Sequence, residues 1–292
     1  MPAFFINLIM LKSNSYKILL LYIFILFNYK IYNQDLVNHI KENAIEIERI
    51  DSLNNTVYQI LSKFNLIMIG EMHGTNEPAE FVTALAELFT KNNEAVQIGF
   101  EIPSEQMSIY LHLPTQINLF KSDFFNKISN DGRASKAWAN SIIKLTQNPN
   151  VNIFFFDIDS NDNYQNRDSL MYIKIKNQIL NYPERKTITL SGNVHNKRNP
   201  HKEVQTMAYL LINDKELNYL NLCTINYIFS TGTMLNNTGN GLELRQISNP
   251  PNIFSESVNY RNYLYLFETP NNYNGVLYTT TVLSSEQTFK KK

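Results

Sequence analysis

The sequence is poor in the residues that build covalent or soft-metal frameworks: 292 residues contain one cysteine, one tryptophan and nine glycines. Cys223 alone can close no disulfide within the chain and supplies no thiolate cage, and its place in the apolar run Tyr219–Phe229 reads as a small buried hydrophobe. Net charge is also missing. Lys plus Arg and Asp plus Glu number 26 each, which excludes the basic field that draws a protein to nucleic acid or to an anionic membrane. That balance implies a small-molecule or peptide ligand. No apolar run is long enough for a comfortable membrane span, so no stable transmembrane anchor is expected.

Apolar residues, by contrast, make up 43% of the chain, enough for a sizeable core. Near the start, Lys12 and Lys17 precede the apolar run Ile18–Phe27, and the polar stretch Asn28–Gln34 follows. This is the charged, apolar, polar order of a secretory signal. The expectation is a signal peptide over residues 1–33, a periplasmic or secreted protein, a single domain over 34–289 and a solvated tail, 290–292.

Beyond the leader, Asp35–Lys63 is polar and compatible with helix, and short apolar segments then alternate with amphipathic ones. Leu66–Ile69, Val96–Phe100, Val151–Phe156 and Ile188–Leu190 lack clean alternation, as parallel strands covered on both faces do. Between them, Glu77–Thr90, Arg167–Leu180 and Val204–Leu211 space their apolar residues as helices. The gap Pro103–Asn150 is too long for one crossover and predicts a helical insertion over about 104–149, with helices near Thr115–Ile128 and Ser135–Gln147. From Tyr219 onward the chain is strand-rich, and Gly232–Gly241 reads as a loop. The predicted fold is α/β: a mostly parallel central sheet flanked by helices, a helical insertion, and a mixed or antiparallel C-terminal edge.

The candidate chemistry sits where strands end. The first strand runs into Gly70-Glu71-Met72-His73-Gly74, the second into Glu101 within Ile98–Ile102, and the fourth into Gly192-Asn193-Val194-His195. A carboxylate beside buried strands needs a cation, a metal or a raised pKa, and no Lys or Arg lies near Glu101 in sequence. In a parallel sheet all carboxyl ends open on one edge, so Glu71, His73, Glu101 and His195 are expected to converge there. Two imidazoles and two carboxylates suit a divalent metal, or a His base held by a carboxylate. Asp157 and Asp159, at the end of the third strand, either hydrogen-bond the site or cap the following helix. Arg167 and Asn193 are secondary candidates, and Asp168, in the first turn of the same helix as Arg167, is favourable to its dipole.

These segments resemble a family. Gly70–Gly74, Gly99-Phe100-Glu101, Arg167-Asp168 with Met171, and Ser191–His195 are similar to the successive signatures of the ChaN, Tiki and erythromycin-esterase superfamily, over roughly residues 60–215. Two departures set the chain apart from the macrolide esterases. Gly192 stands where those enzymes carry a His, and residues 74–90 contain no Arg. The resemblance implies an exported hydrolase acting on an ester- or amide-like substrate, its His/Glu cluster holding a divalent metal or activating water. The alternative it implies is a non-catalytic haem- or iron-binding protein of the cell envelope, with a Tyr in Tyr260–Tyr265 as a further candidate iron ligand.

Overall fold

Four apolar runs without alternation become four parallel strands covered on both faces. A computed structural model describes residues 35–107, 119, 122–126, 131–237 and 239–288. The expected signal segment, the tail and most of the stretch near Thr115–Ile128 lie outside these residues. The described chain falls into two compact units, 35–43 with 251–259, and 44–250 with 260–288. Residues 35–43 and Ile253–Ser257 are helical.

The larger unit carries a nine-stranded sheet. Its strands are β1 (Ile45–Glu46), β2 (Leu66–Glu71), β3 (Val96–Pro103), β4 (Val151–Asp157), β5 (Lys186–Gly192), β6 (Leu222–Asn237), β7 (Leu242–Ser248), β8 (Asn262–Leu266) and β9 (Gly275–Val282). The spatial order is β1-β8-β9-β6-β2-β5-β3-β4, and β7 extends β6. Pairing is parallel from β4 through β3, β5, β2 and β6 to β9, and antiparallel at β9–β8, β8–β1 and β6–β7. The α/β class and the mixed edge are as expected.

Helices α1 (Asn55–Leu61), α2 (Glu77–Lys91), α3 (Lys136–Thr146), α4 (Arg167–Asn181) and α5 (Met207–Ile212) join the strands. Helix α2 starts where Pro78 fits a first turn that lacks partners for its N–H groups, with Glu77 and Glu80 complementing the dipole. Ser135 caps α3 by accepting from Trp138 N. Alternation along each strand sorts the core in two. Ile67, Ile69, Ile98, Phe100, Ile188 and Ile225 pack with α2 and α3 residues, whereas Leu66, Met68, Phe154 and Phe156 pack with α4 and α5. The insertion is thus in part a core layer: Trp138 of α3 is 1% exposed and packs on Phe100. Among the described residues no helix is long and apolar enough to cross a membrane.

The chain visits β2, β3 and β4 with helices on one face, then returns over the other face to place β5 between β2 and β3. That reversal opens a crevice at the carboxyl ends of these three strands. One reading fails. Gly232–Gly241 is not all loop, because β6 continues to Asn237 and pairs there with β7, and Gly232 also lies opposite Val282 of β9. Backbone bonds on both sides override a Gly- and Asn-rich composition.

Candidate active site

The crevice gathers all four strand-end residues. Glu71 leaves β2 on the α2/α3 face, Glu101 leaves β3 on the α4 face, and the turn after β5 carries His195 between them. Each imidazole is held by its own carboxylate. His73 Nδ1 lies 2.8 Å from Glu71 Oε1, and His195 Nδ1 lies 2.9 Å from Asp168 Oδ1. Both Nε2 atoms then face Glu101, His73 at 3.9 Å from Oε2 and His195 at 3.8 Å from Oε1. The two rings thus flank one buried carboxylate.

Glu101 is 1% exposed, and its cations come from afar in sequence. Arg133 Nη1 donates to Oε1 at 3.0 Å, Arg167 Nη2 donates to the same oxygen, and Gly192 N donates to Oε2 at 2.6 Å. Burial alone would raise the Glu101 pKa. Arg133 first, then the imidazoles and Arg167, reverse this and hold it well below the usual carboxylate range. Asp157 completes the cluster by accepting from Arg133 Nη1 at 2.6 Å and from Arg167 Nε and Nη2 at 2.8 Å each. Two carboxylates and two guanidinium groups compensate one another here.

The Glu71–His73 pair behaves differently. Burial pushes the Glu71 carboxyl up, and its bond to His73 and the nearby Trp138 restore only part of the shift. Burial opposes protonation of His73, yet the Glu71 hydrogen bond and the charges of Glu101 and Glu71 outweigh it, so the His73 pKa is raised. The pair holds a proton more tightly than either group would alone.

Of the remaining candidates, Arg167 and Asp157 belong to the cluster. Asp159 does not: it accepts from Ser104 Oγ at 2.7 Å, from Glu105 N and from Lys174, and so ties the β3 and β4 ends together. Asn193 enters through its backbone, its carbonyl accepting from Tyr273 Oη at 2.9 Å. Of the three candidates for an exposed iron ligand, Tyr263 and Tyr265 are 0% and 1% exposed within β8, and Tyr260, just before that strand, is half-buried. Sequence reasoning missed Arg133 outright and assigned Asp168 only to a helix dipole. The signal for Arg133 is Asp131-Gly132-Arg133 in a chain with few glycines. Gly132 has φ +88°, and a Cβ there would lie 2.9 Å from Gly74 Cα. Gly74 in turn has φ +97°, and its carbonyl accepts from Leu235 N and Ser285 N. The turn that carries His73 therefore seats the loop that delivers Arg133. An added Cβ at Gly74 would meet Leu235 O at 1.9 Å, so Gly74→Ala is expected to destabilise the chain by on the order of 3 kcal/mol in chemical unfolding.

The donor set does not fit a divalent metal. Both Glu101 oxygens are taken by guanidinium and amide donors, Glu71 Oε1 is taken by His73, and two guanidinium charges stand beside the cluster. Among the described residues no three His, Cys, Asp or Glu side chains are placed to hold a metal ion. A cavity of about 500 Å³ adjoins the arginines, walled by Phe124, Tyr164, Pro103 and Ile158 and floored by Arg133, Arg167 and Asp157.

No family model and no curated protein matches the sequence. Solved structures do match the fold. A Bacillus cereus protein superposes with a TM-score of 0.63 over 87% of this chain and 99% of its own, at 9% identity. A mutant of the erythromycin esterase EreC in its open conformation gives 0.58 over 82% and 98%, at 10% identity. The chain has the erythromycin-esterase fold. A succinoglycan biosynthesis protein shares it, with a TM-score of 0.61 over 87% and 98% at 9% identity. A match over 87% of this chain is longer than the resemblance read over residues 60–215.

One position in this fold is testable without a substrate pose. Gly192 lies between the rings, and a Cβ there would stand 3.3 Å from His73 Nε2 and 3.4 Å from His195 Cδ2. Its φ of −57° suits any residue. Gly192→Ala is therefore expected to push the rings aside by a few tenths of an ångström, moving both imidazole resonances in an NMR spectrum. Unshifted resonances would show that the rings do not approach across this glycine.

Proposed function

We propose that the protein is a metal-independent hydrolase of ester- or amide-like substrates in which two carboxylate-held histidines act on water and leaving group. The observation that carries this reading is the paired geometry: each Nδ1 bonded to a carboxylate, each Nε2 directed to the same buried anion. A base fixed by a third group is the recurring arrangement of acid–base hydrolysis. Among the described residues no Ser, Thr or Cys side chain hydrogen-bonds either ring, so water is the nucleophile.

The environments assign the roles. His73, whose pKa is raised, carries the proton given to the leaving group, and His195, with Nδ1–H donated to Asp168, offers the Nε2 lone pair that takes a proton from water. Glu101 is fixed by three donors and acts as a charge that favours the imidazolium state. The solved erythromycin esterase of the same fold supports the reaction class. The carrier reading has less support, because the Glu71 and Glu101 oxygens nearest the rings are engaged and two of the three candidate tyrosines are buried.

The test is turnover of a panel of activated carboxylic esters, amides and phosphoesters with chelator present. Ester or amide turnover is expected to persist in chelator and to fall on the alkaline side as His73 loses its proton. Turnover that needs added metal, or none on the whole panel, would sink the reading. We further propose that the protein works outside the cytoplasm, on the strength of the leader pattern; mass spectrometry of the protein from its host, with residues 1–33 absent, is the expected result.

A further inference from the structure

The mechanism leaves one group of buried polar atoms unused. Glu71 Oε2, Thr75 Oγ1, Glu77 Oε2, Tyr227 Oη and Thr279 Oγ1 are all buried, and none has a well-formed hydrogen bond to protein. They cluster by topology. Gly70 pairs with Asn226, so Glu71 and Tyr227 follow one another across the β2–β6 boundary, and Tyr227 packs in the core with Ile69 and Ile225. Thr279 lies opposite Phe229, two residues beyond Tyr227 on the next strand. Glu77 opens α2, and its Oε1 accepts from Leu283 N at 2.8 Å just past the end of β9. Glu77 and Thr279 also line a second cavity, about 210 Å³, shared with Asp51, Glu80 and Arg261.

Unpaired buried polar atoms are few in folded proteins, because each one left dry forfeits its hydration without a protein bond in return. Tyr227 is within electrostatic reach of Glu71, Glu77 and Thr279, and a buried water can bond two to four such groups. Glu71 stands at the candidate site, and Glu77 and Thr279 stand at the second cavity. We infer that buried water links the free oxygen of Glu71, past Tyr227 and Thr279, to Glu77, and that Glu77 passes protons between the Glu71–His73 pair and bulk solvent.

The chemistry balances as proton transfer alone. As His73 Nε2 gives its proton to the leaving group, Nδ1 takes one from Glu71 Oε1, Glu71 Oε2 takes one from the water chain, and the Glu77 carboxyl gives one to that chain and recovers one from bulk. A buried acid that has spent its proton on a leaving group must recover one before the next turnover, so the Glu71–His73 pair needs such a supply. Glu77 suits it: burial raises its carboxyl to about 7, against the pull of its own and neighbouring backbone N–H groups, with Glu80 adding to the rise. Tyr227 is a positioning residue in this scheme. The role of Glu77 as proton supply rests on the hydrolytic reading, while the water link itself does not.

The experiment follows the His73 Nδ1 proton by NMR in the full chain, with the His195 Nδ1 proton as internal control. Tyr227→Phe and Glu77→Gln are each expected to slow its exchange with bulk water several-fold and leave His195 exchange unchanged. Thr279→Val gives the same result if Tyr227→Phe does not fold. Equal slowing at both histidines, or none at His73, overturns the proposal. A crystal structure fine enough to show waters is expected to place them on Glu71 Oε2, Tyr227 Oη and Glu77 Oε2; direct protein bonds at all three would overturn it too. Neither readout uses a substrate, so a protein without hydrolase activity still answers the question.

Discussion

His195→Ala is expected to lower ester or amide turnover by about 10²–10⁴-fold, the usual contribution of a positioned general base, with substrate binding little changed. The ring is 16% exposed and makes one side-chain hydrogen bond, to Asp168, which still accepts from Met207 N at 2.8 Å when the ring is gone. The stability cost is therefore small, no more than about 1 kcal/mol. Asp168→Asn separates positioning from chemistry. An amide in place of the carboxylate no longer demands Nδ1–H, so the base is held in the wrong tautomer; the corresponding change in a serine-protease triad costs about 10⁴ in turnover. A full loss in His195→Ala with Asp168→Asn nearly as active would remove Asp168 from the mechanism. Two variants and one thermal scan decide it.

The fold was legible because its central strands announce themselves. Runs such as Ile153–Phe156 are apolar at successive positions, which only a strand covered on both faces tolerates, and the helices between them keep one apolar stripe. The far half of β6 was not. Residues 230–237 alternate half-buried with buried positions among Thr, Gly and Asn, and their strand state comes from pairing with β7 and β9, which local composition does not encode.

At the site, the sequence marked Glu71, His73, Glu101 and His195 because each directly follows an apolar strand, so their shared edge depended only on the strands being parallel. Asp168 and Arg167 open α4 and were visible as residues, but a first-turn acid has a sufficient reason in the helix dipole. Arg133 carried no periodic signal. It stands on an irregular segment, and its partner lies 32 residues away in sequence. Its placement depends on two glycines in contact, Gly74 and Gly132, and contact between loops is what a single sequence does not display.

Glu101→Gln is expected to unfold the protein more readily by about 3–5 kcal/mol, a far larger loss than at either histidine. The amide keeps the size of the carboxylate, so packing does not change; the charge count does. Arg133 and Arg167, 15% and 14% exposed, share Glu101 and Asp157, and a guanidinium does not shed its proton to escape a buried site. With Gln at 101, the two cations keep Asp157 as their one buried carboxylate, Asp131 reaching Arg133 at 2.8 Å from a partly exposed position, and the two ring Nε2 atoms lose the anion between them. The melting temperature should fall by on the order of 10 °C for a chain of this size. Removing a cation at the same time tests the cause. Arg133→Met in the Glu101→Gln background restores the local balance at one to one, so the double variant should be more stable than Glu101→Gln alone, with a coupling energy of about 1–3 kcal/mol. Additive losses would show that Glu101 acts through hydrogen-bond geometry rather than charge. In either case the imidazolium state of His73 loses its second carboxylate, so the alkaline limb of the pH–rate profile should move to lower pH in Glu101→Gln, a shift that simple destabilisation does not produce.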